Sequence, residues 1–240
     1  LSLAACSSTS DDASKPSALR DGALKEAALT YGAQNALAWK SHIVAMTLSH
    51  HAKKLDRIYR FNNMLLHNNV VPPVLDMSSN SLNIDNPNSI RASDQIVRII
   101  SPAHFVTAPP TWRTYISLNH IAPPNRPNKL LLPHNERERI IWDKFVSMGW
   151  DRGLEQASNL FYMGIGKLNR DIIGMALYHK LLAHHMVLPP YVASSSMGIT
   201  GNKSHMRIND KIYRITQHAE LLPNQPNHWN AIVSTKPKSH

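Results

Sequence analysis

The sequence predicts a helix-rich α+β fold: two similar helix–Pro-Pro–strand-pair units, an internal pseudo-duplication, packed into one body. Three observations carry this. Long stretches place apolar residues at steps of three and four, the helical period. Short runs alternate apolar with polar residues, as strands do. The same ordered set of segments also occurs twice at a nearly constant offset. With 240 residues, 42% apolar, the chain is long enough to bury a core without covalent staples. Five Trp, seven Tyr and that apolar content exclude a chain disordered throughout.

The chain opens Leu1-Ser2-Leu3-Ala4-Ala5-Cys6. Leu3-Ala4-Ala5-Cys6 fits a bacterial lipobox: a branched apolar residue, two small residues that enter a signal-peptidase groove, and a thiol that accepts diacylglycerol. Most of the preceding signal peptide is missing, so the sequence is expected to be cut within it. Cys6 is the sole cysteine, and residues 7–17 are rich in Ser, Thr and Asp. They read as a solvated tether reaching about 35 Å at about 3.3 Å per residue. Ser7, rather than Asp, after the cysteine favours delivery to the outer membrane. Residues 1–17 are therefore expected to be the signal remnant, lipobox and tether, with Cys6 as the lipidated residue.

The first helix–strand unit is assigned to residues 18–120. Residues 18–68 are helix-like, with Ser17 or Asp21 as N-cap. Leu48, Ala52, Leu55, Tyr59 and Leu66 share one face, with Asn62 in the same rhythm. Fifty residues exceed an ordinary globular helix, so a break is expected near Ser49-His50-His51. Pro72-Pro73 is expected to end the helix, since proline lacks a donor and disfavours helix in the residue before it. Asp94-Gln95-Ile96-Val97-Arg98-Ile99 reads as a half-buried strand opened by a turn at Asp94, with Arg98 on its polar face. Pro109-Pro110-Thr111-Trp112 follows as a Trp-bearing turn or short helix.

Residues 121–135, carrying Pro123, Pro124, Pro127 and Pro133, read as a linker. The second unit, residues 136–240, begins behind Asn135-Glu136-Arg137-Glu138, a capping-box-like signature. Its stripe runs Trp142, Val146, Gly149, Gly153, Ala157 and Leu160, and the two glycines would admit a closely approaching backbone. Pro189-Pro190, Asp210-Lys211-Ile212-Tyr213-Arg214-Ile215 and Pro226-Asn227-His228-Trp229 answer the segments of the first unit. Pro73 and Pro190, Arg98 and Arg214, and Trp112 and Trp229 stand 117, 116 and 117 residues apart. Trp112 and Trp229 are read as local core, with an interface anchor as the alternative.

The net charge is +10, but no basic run reaches five residues. A clustered nucleic-acid footprint is therefore missing, and direct sequence-specific nucleic-acid binding is not expected. A generally basic surface facing anionic partners or envelope polymers fits better. One cysteine excludes a disulfide scaffold and Cys-rich zinc motifs, and no run approaches eighteen apolar residues.

Fourteen histidines invite a metal reading. Yet His50-His51 and His184-His185 are adjacent rather than three or four apart, and His179 and His184 are five apart, so no metal ligand set is assigned. Gly198-Ile199-Thr200-Gly201-Asn202-Lys203-Ser204 lacks the glycine before lysine that a phosphate loop needs. No Gly-x-Ser-x-Gly elbow occurs, and Asp11-Asp12 lies in the tether. No catalytic residue and no cofactor other than the lipid on Cys6 is expected.

Leu24-Lys25-Glu26-Ala27-Ala28-Leu29 with Gly32-Ala33-Gln34, Ile58-Tyr59-Arg60-Phe61-Asn62 leading to Pro72-Pro73-Val74-Leu75, and Pro109-Pro110-Thr111-Trp112-Arg113 resemble the DotC family. Gly174-Met175-Ala176-Leu177-Tyr178 through Pro189-Pro190-Tyr191-Val192, and Gly198-Ile199-Thr200-Gly201 leading to Asn209-Asp210, continue the likeness. It covers roughly residues 20–230 and extends to the TraI lipoprotein of related conjugative plasmids. The resemblance implies a non-enzymatic outer-membrane lipoprotein, facing the periplasm, in the core complex of a type IVB (Dot/Icm-like) secretion or conjugation system. It also implies a ring assembly with a DotD-like lipoprotein and a DotH-like core subunit as partners, and only Cys6 carries over as a functional position. The competing expectation is a periplasmic lipoprotein enzyme or a peptidoglycan-binding module, with loops 76–92 and 193–205 as its places.

Overall fold

The computed structural model describes residues 14–86, 89–116 and 121–223; Cys6 and Trp229 lie outside the described residues. The helices are α1 (Ser14–His50), α2 (Ala52–Ile58), α3 (Trp112–Tyr115) and α4 (Glu136–Ala183). The strands are β1 (Val70–Val71), β2 (Val74–Asn86), β3 (Ser89–Ser101), β4 (His104–Phe105), β5 (Val187–Leu188), β6 (Tyr191–Gly201), β7 (Met206–Gln217) and β8 (Glu220–Leu221). The fold is mixed helix and strand with two long helices, as the periodicity predicts. It forms two compact units, Leu1–Lys54 with Ile116–Ile165, and Leu55–Tyr115 with Gly166–His240. Each unit draws on both halves of the chain, so compactness groups residues 18–120 and 136–240 differently from the sequential reading.

The first unit pairs α1 with the beginning of α4 through small residues. Leu24, Ala28, Gly32 and Ala36 recur every fourth position on α1 and are buried. Gly149, Gly153 and Ala157 are buried on α4. A Cβ on Gly32 would collide with the Val146 carbonyl, one on Gly149 with the Leu29 carbonyl, and one on Gly153 with the Ala33 carbonyl, all within 3.0 Å. Here glycine is required because two helix backbones touch. The contacts advance together along both helices, so α1 and α4 run side by side in the same direction.

Helix α1 begins at Ser14, so the expected tether is helical over residues 14–17, and Ser17 and Asp21 lie inside the helix and neither is its cap. Asp21 instead accepts a 2.7 Å bond from Arg137. The expected break falls where the sequence placed it: α1 stops at His50 and α2 starts at Ala52. Thr47 and Ser49 turn their hydroxyls back onto the Ile43 and Met46 carbonyls, a habit that weakens a helix end. The helix does not reach residue 68. It ends at Ile58 and gives way to 3₁₀ turns at Phe61–Met64 and His67–Asn69, where Asn68 and Asn69 adopt positive φ of 61° and 55°. Asparagine tolerates this left-handed backbone better than other side chains. Leu48, Ala52, Leu55, Tyr59 and Leu66 are all half-buried, whereas Asn62 is exposed.

The capping signature of α4 works. Asn135 Oδ1 accepts the Glu138 N–H at 2.8 Å. Glu138 does not reach back to its own cap; it accepts the His134 N–H at 2.8 Å and a two-pronged bond from Arg20 at 2.7 and 2.9 Å. The Arg20 bonds, then the His134 N–H, hold the Glu138 carboxyl down to about 2. Arg20 also donates to the Leu130 carbonyl at 3.1 Å. Residues 121–135 are therefore no free linker: their Leu130 turn is strapped to α1.

In the second unit the proline pairs interrupt strands instead of ending helices. Helix α4 stops at Ala183, closed by a left-handed His185 (φ 56°) and a 3.0 Å bond from the Met186 N–H to the Leu181 carbonyl. Pro189-Pro190 separates β5 from β6, and Pro72-Pro73 separates β1 from β2, because proline offers no donor to continue a ladder. Four antiparallel pairs result: β1 with β4, β2 with β3, β5 with β8, and β6 with β7. Both halves of the chain thus show the same strand order and pairing.

The core of this unit joins the roots of these ribbons to the end of α4. Leu75, Tyr178, Leu181, Met186, Val187 and Ala219 form it, with Leu66, Val97 and Leu221 packed around. Gly174 leaves room for the Leu75 backbone, which a Cβ would strike within 3.0 Å. The strands start well before the expected turns: Asp94 lies inside β3 and Asp210 inside β7. Strand β7 is not half-buried either, since only Asp210 and Ile215 in it escape full exposure. Alternation reports a two-sided strand, and it cannot report whether anything covers the apolar side.

Candidate interaction surfaces

A corner around Trp112 ties α3 to α2. Trp112 is buried, and its indole N–H donates to Asp56 at 2.7 Å. Arg113 grips both oxygens of the same carboxylate at 2.7 and 3.1 Å and lies 4.3 Å from the Trp112 ring centroid. The Arg113 bonds, then the Trp112 bond, hold the Asp56 carboxyl below its ordinary value. Phe61 stacks on Tyr115 at 5.6 Å. Burial first, and the neighbouring Asp171 carboxylate second, push the Tyr115 hydroxyl far above its usual range. Beside this corner a cavity of about 420 Å³ opens between Tyr59, Phe61, Asn63, Pro109, Pro110 and Trp112. The charged groups here already bind one another, so the corner acts as a clamp that fixes the 109–115 turn.

The second surface is the pair of long ribbons, β2–β3 and β6–β7. Each is a two-stranded sheet with no third strand on either edge among the described residues. Met77, Ile99 and Ile100 are exposed on the first; Tyr191, Met197, Ile199, Met206, Ile208, Ile212 and Tyr213 are exposed on the second. Unpaired edges and bare aliphatic side chains are features that natural sheets usually protect, which marks these ribbons as contact surfaces.

The sequence profile of the TraI family, described as "Type IV secretory system, conjugal DNA-protein transfer", matches residues 18–231. The chain belongs to that family. It is therefore a component of a type IV secretion or conjugation apparatus, and the likeness to DotC and TraI proteins seen in the sequence holds. No curated protein matches the chain.

Within this family member, the motifs singled out in the sequence fall into place as follows. His50 and His51 meet edge to face at 5.1 Å at the end of α1. His179 Nε2 lies 2.9 Å from the Met64 carbonyl, tying α4 to the first 3₁₀ turn. Among the described residues no group of three His, Cys, Asp or Glu could hold a metal. Gly198 to Ser204 is the end of the β6–β7 ribbon, and Asn202 Oδ1 already accepts the Ser204 and His205 N–H groups. Those donors are spent, and a strand follows where a phosphate loop needs a helix. Arg98 pairs with Asp76 across the β2–β3 ladder at 3.5 Å, an exposed contact of small weight. Arg214 faces Ala193 on the other ribbon. Trp112 is local core, as its place in the turn predicts. The Asp56–Arg113 and Arg20–Glu138 links went unseen in sequence, because their partners stand 57 and 118 residues apart.

Proposed function

We propose that the chain is a structural, non-enzymatic subunit of a type IVB secretion or conjugation core complex, anchored in the outer membrane through lipid on Cys6 and facing the periplasm. Its partners in this reading are a DotD-like lipoprotein and a DotH-like core subunit, with which it helps place and stabilise an outer-membrane ring. The family match over residues 18–231 carries the reading, and the lipobox before Cys6 supplies the anchor. Three acyl chains at about 0.8 kcal/mol per buried methylene would hold it durably, where one chain would not. The Ser-, Thr- and Asp-rich residues 7–13, between Cys6 and the start of α1, give the body reach from the bilayer, and the exposed ribbons offer it surfaces for neighbours.

Cys6→Ser tests the anchor. The variant should keep its helical circular dichroism, leave the outer-membrane fraction and lose most of its channel assembly. Affinity purification of the tagged wild type from detergent-solubilised envelopes should bring down a second small lipoprotein and large core subunits in fixed ratio. A Cys6→Ser protein that still fractionates with the outer membrane would overturn the anchor, and a wild type recovered alone would overturn the assembly role.

A further inference from the structure

The turn end of the β6–β7 ribbon is built unlike its root. Ile199 pairs with Ile208 and Gly201 with Met206, so these residues lie two apart on one face of the ladder. Their relative exposures are 68% for Ile199, 65% for Ile208 and 64% for Met206, with Met197 beside them at 51%. Thr200 and Arg207, paired with each other, take the opposite face. Lys203 in the turn and Lys211 are exposed around this aliphatic group. The nearby carboxylate, Asp210, is engaged by the Thr200 hydroxyl. Over residues 191–217 four cations (Lys203, Arg207, Lys211, Arg214) face one acid, whereas residues 74–101 carry two arginines and three aspartates.

We propose that this ribbon end is a lipid-contacting element: Ile199, Met206 and Ile208 dip into the interface of an anionic bilayer while Lys203 and Lys211 bind its phosphate headgroups. Two features favour a membrane over an added protein strand. The ladder is bulged at Ser196/Gly198 and Gly198/Ile199, with Gly198 at φ 72° and Asn209 at φ 57°. Bulges and charged residues spoil an edge for strand addition while leaving the face available. The apolar group is also small and fringed by long cationic side chains that can bury their stems and keep their charges at headgroup level. The ribbon's open edges would leave backbone groups without partners in hydrocarbon, so the contact stays interfacial and does not span.

The test uses the full chain carrying Cys6→Ser, which removes the acyl anchor, sedimented with vesicles. It should pellet with mixed phosphatidylethanolamine–phosphatidylglycerol vesicles and only weakly with phosphatidylcholine. Lys203→Gln and Lys211→Gln should each lower binding about fivefold. The combined Ile199→Thr, Met206→Thr and Ile208→Thr variant keeps strand-forming residues and should bind no better than background while its circular dichroism is unchanged. Equal binding to phosphatidylcholine, no vesicle binding, or full binding by the threonine variant would overturn the proposal. Pelleting without vesicles that the threonine variant abolishes would also overturn it, and would give this face to a protein partner instead.

Discussion

The two compact units solve the burial problem in opposite ways. In the first, α1 and α4 are joined by residues with almost no side chain, so backbone meets backbone at Gly32, Gly149 and Gly153. In the second, a large residue is the centre: Tyr178 is fully buried among Leu75, Leu181, Met186 and Val187. A seam of small residues gains little from apolar area, but it fixes spacing and register because nothing larger fits. A core built on an aromatic gains area and is sensitive to its loss. The difference teaches that glycine and tyrosine can be equally constrained, one by the space it must not fill and the other by the space it must.

The comparison can be broken first at Tyr178. Tyr178→Ala should destabilise by about 4 kcal/mol through the cavity it leaves, read by urea denaturation followed by circular dichroism. Its hydroxyl has no hydrogen-bond partner among the described residues, so Tyr178→Phe should be neutral or stabilising by about 1 kcal/mol. A large loss in the phenylalanine variant would show that the hydroxyl is held after all.

At the seam, Gly153→Leu should cost about 3 kcal/mol by forcing the helices apart. Gly22 and Gly166 are also helical, but a Cβ on either meets nothing within 4 Å. Gly166→Ala should therefore stabilise by about 1 kcal/mol through helix propensity. Equal effects at Gly153 and Gly166 would deny that the seam is what constrains its glycines.

The smallest effect is electrostatic and belongs to the first unit alone. The folded Glu138 carboxyl sits at about 2, below its ordinary 4.5. A depressed carboxyl contributes stability above its unfolded value, and that stability is lost as pH falls toward the folded value. Wild type should thus lose stability between about pH 5 and pH 2 more steeply than Glu138→Gln. Parallel pH curves for the two proteins would remove the Arg20–Glu138 link from the account.

Much of this architecture was legible residue by residue. Asn135 and Glu138 announced the start of α4, because a cap is a local bond between neighbours in sequence. The break after His50 was readable from length, and Gly149 and Gly153 from their spacing in an apolar stripe. The start of α1 was misplaced because Ser17 and Asp21 have cap chemistry that the helix passes over. Pro72-Pro73 and Pro189-Pro190 were read as helix stops, while their missing donors act on strand ladders instead. Cys6 rests on sequence alone, outside the described residues.

The sequence by itself determined what depends on near neighbours: two long helices, a glycine-marked face on the second, two alternating strand-forming runs, and a family likeness over most of the chain. Only the tertiary structure decided which faces were covered. It paired Gly32 with Val146, tied Asp56 to Arg113 and Trp112, gathered the ribbon roots around Tyr178, and left the end of the β6–β7 ribbon bare. The physical reason is that periodicity records which side of an element is apolar. Burial depends on what the rest of the chain brings against that side, and at Ile199, Met206 and Ile208 it brings nothing among the described residues.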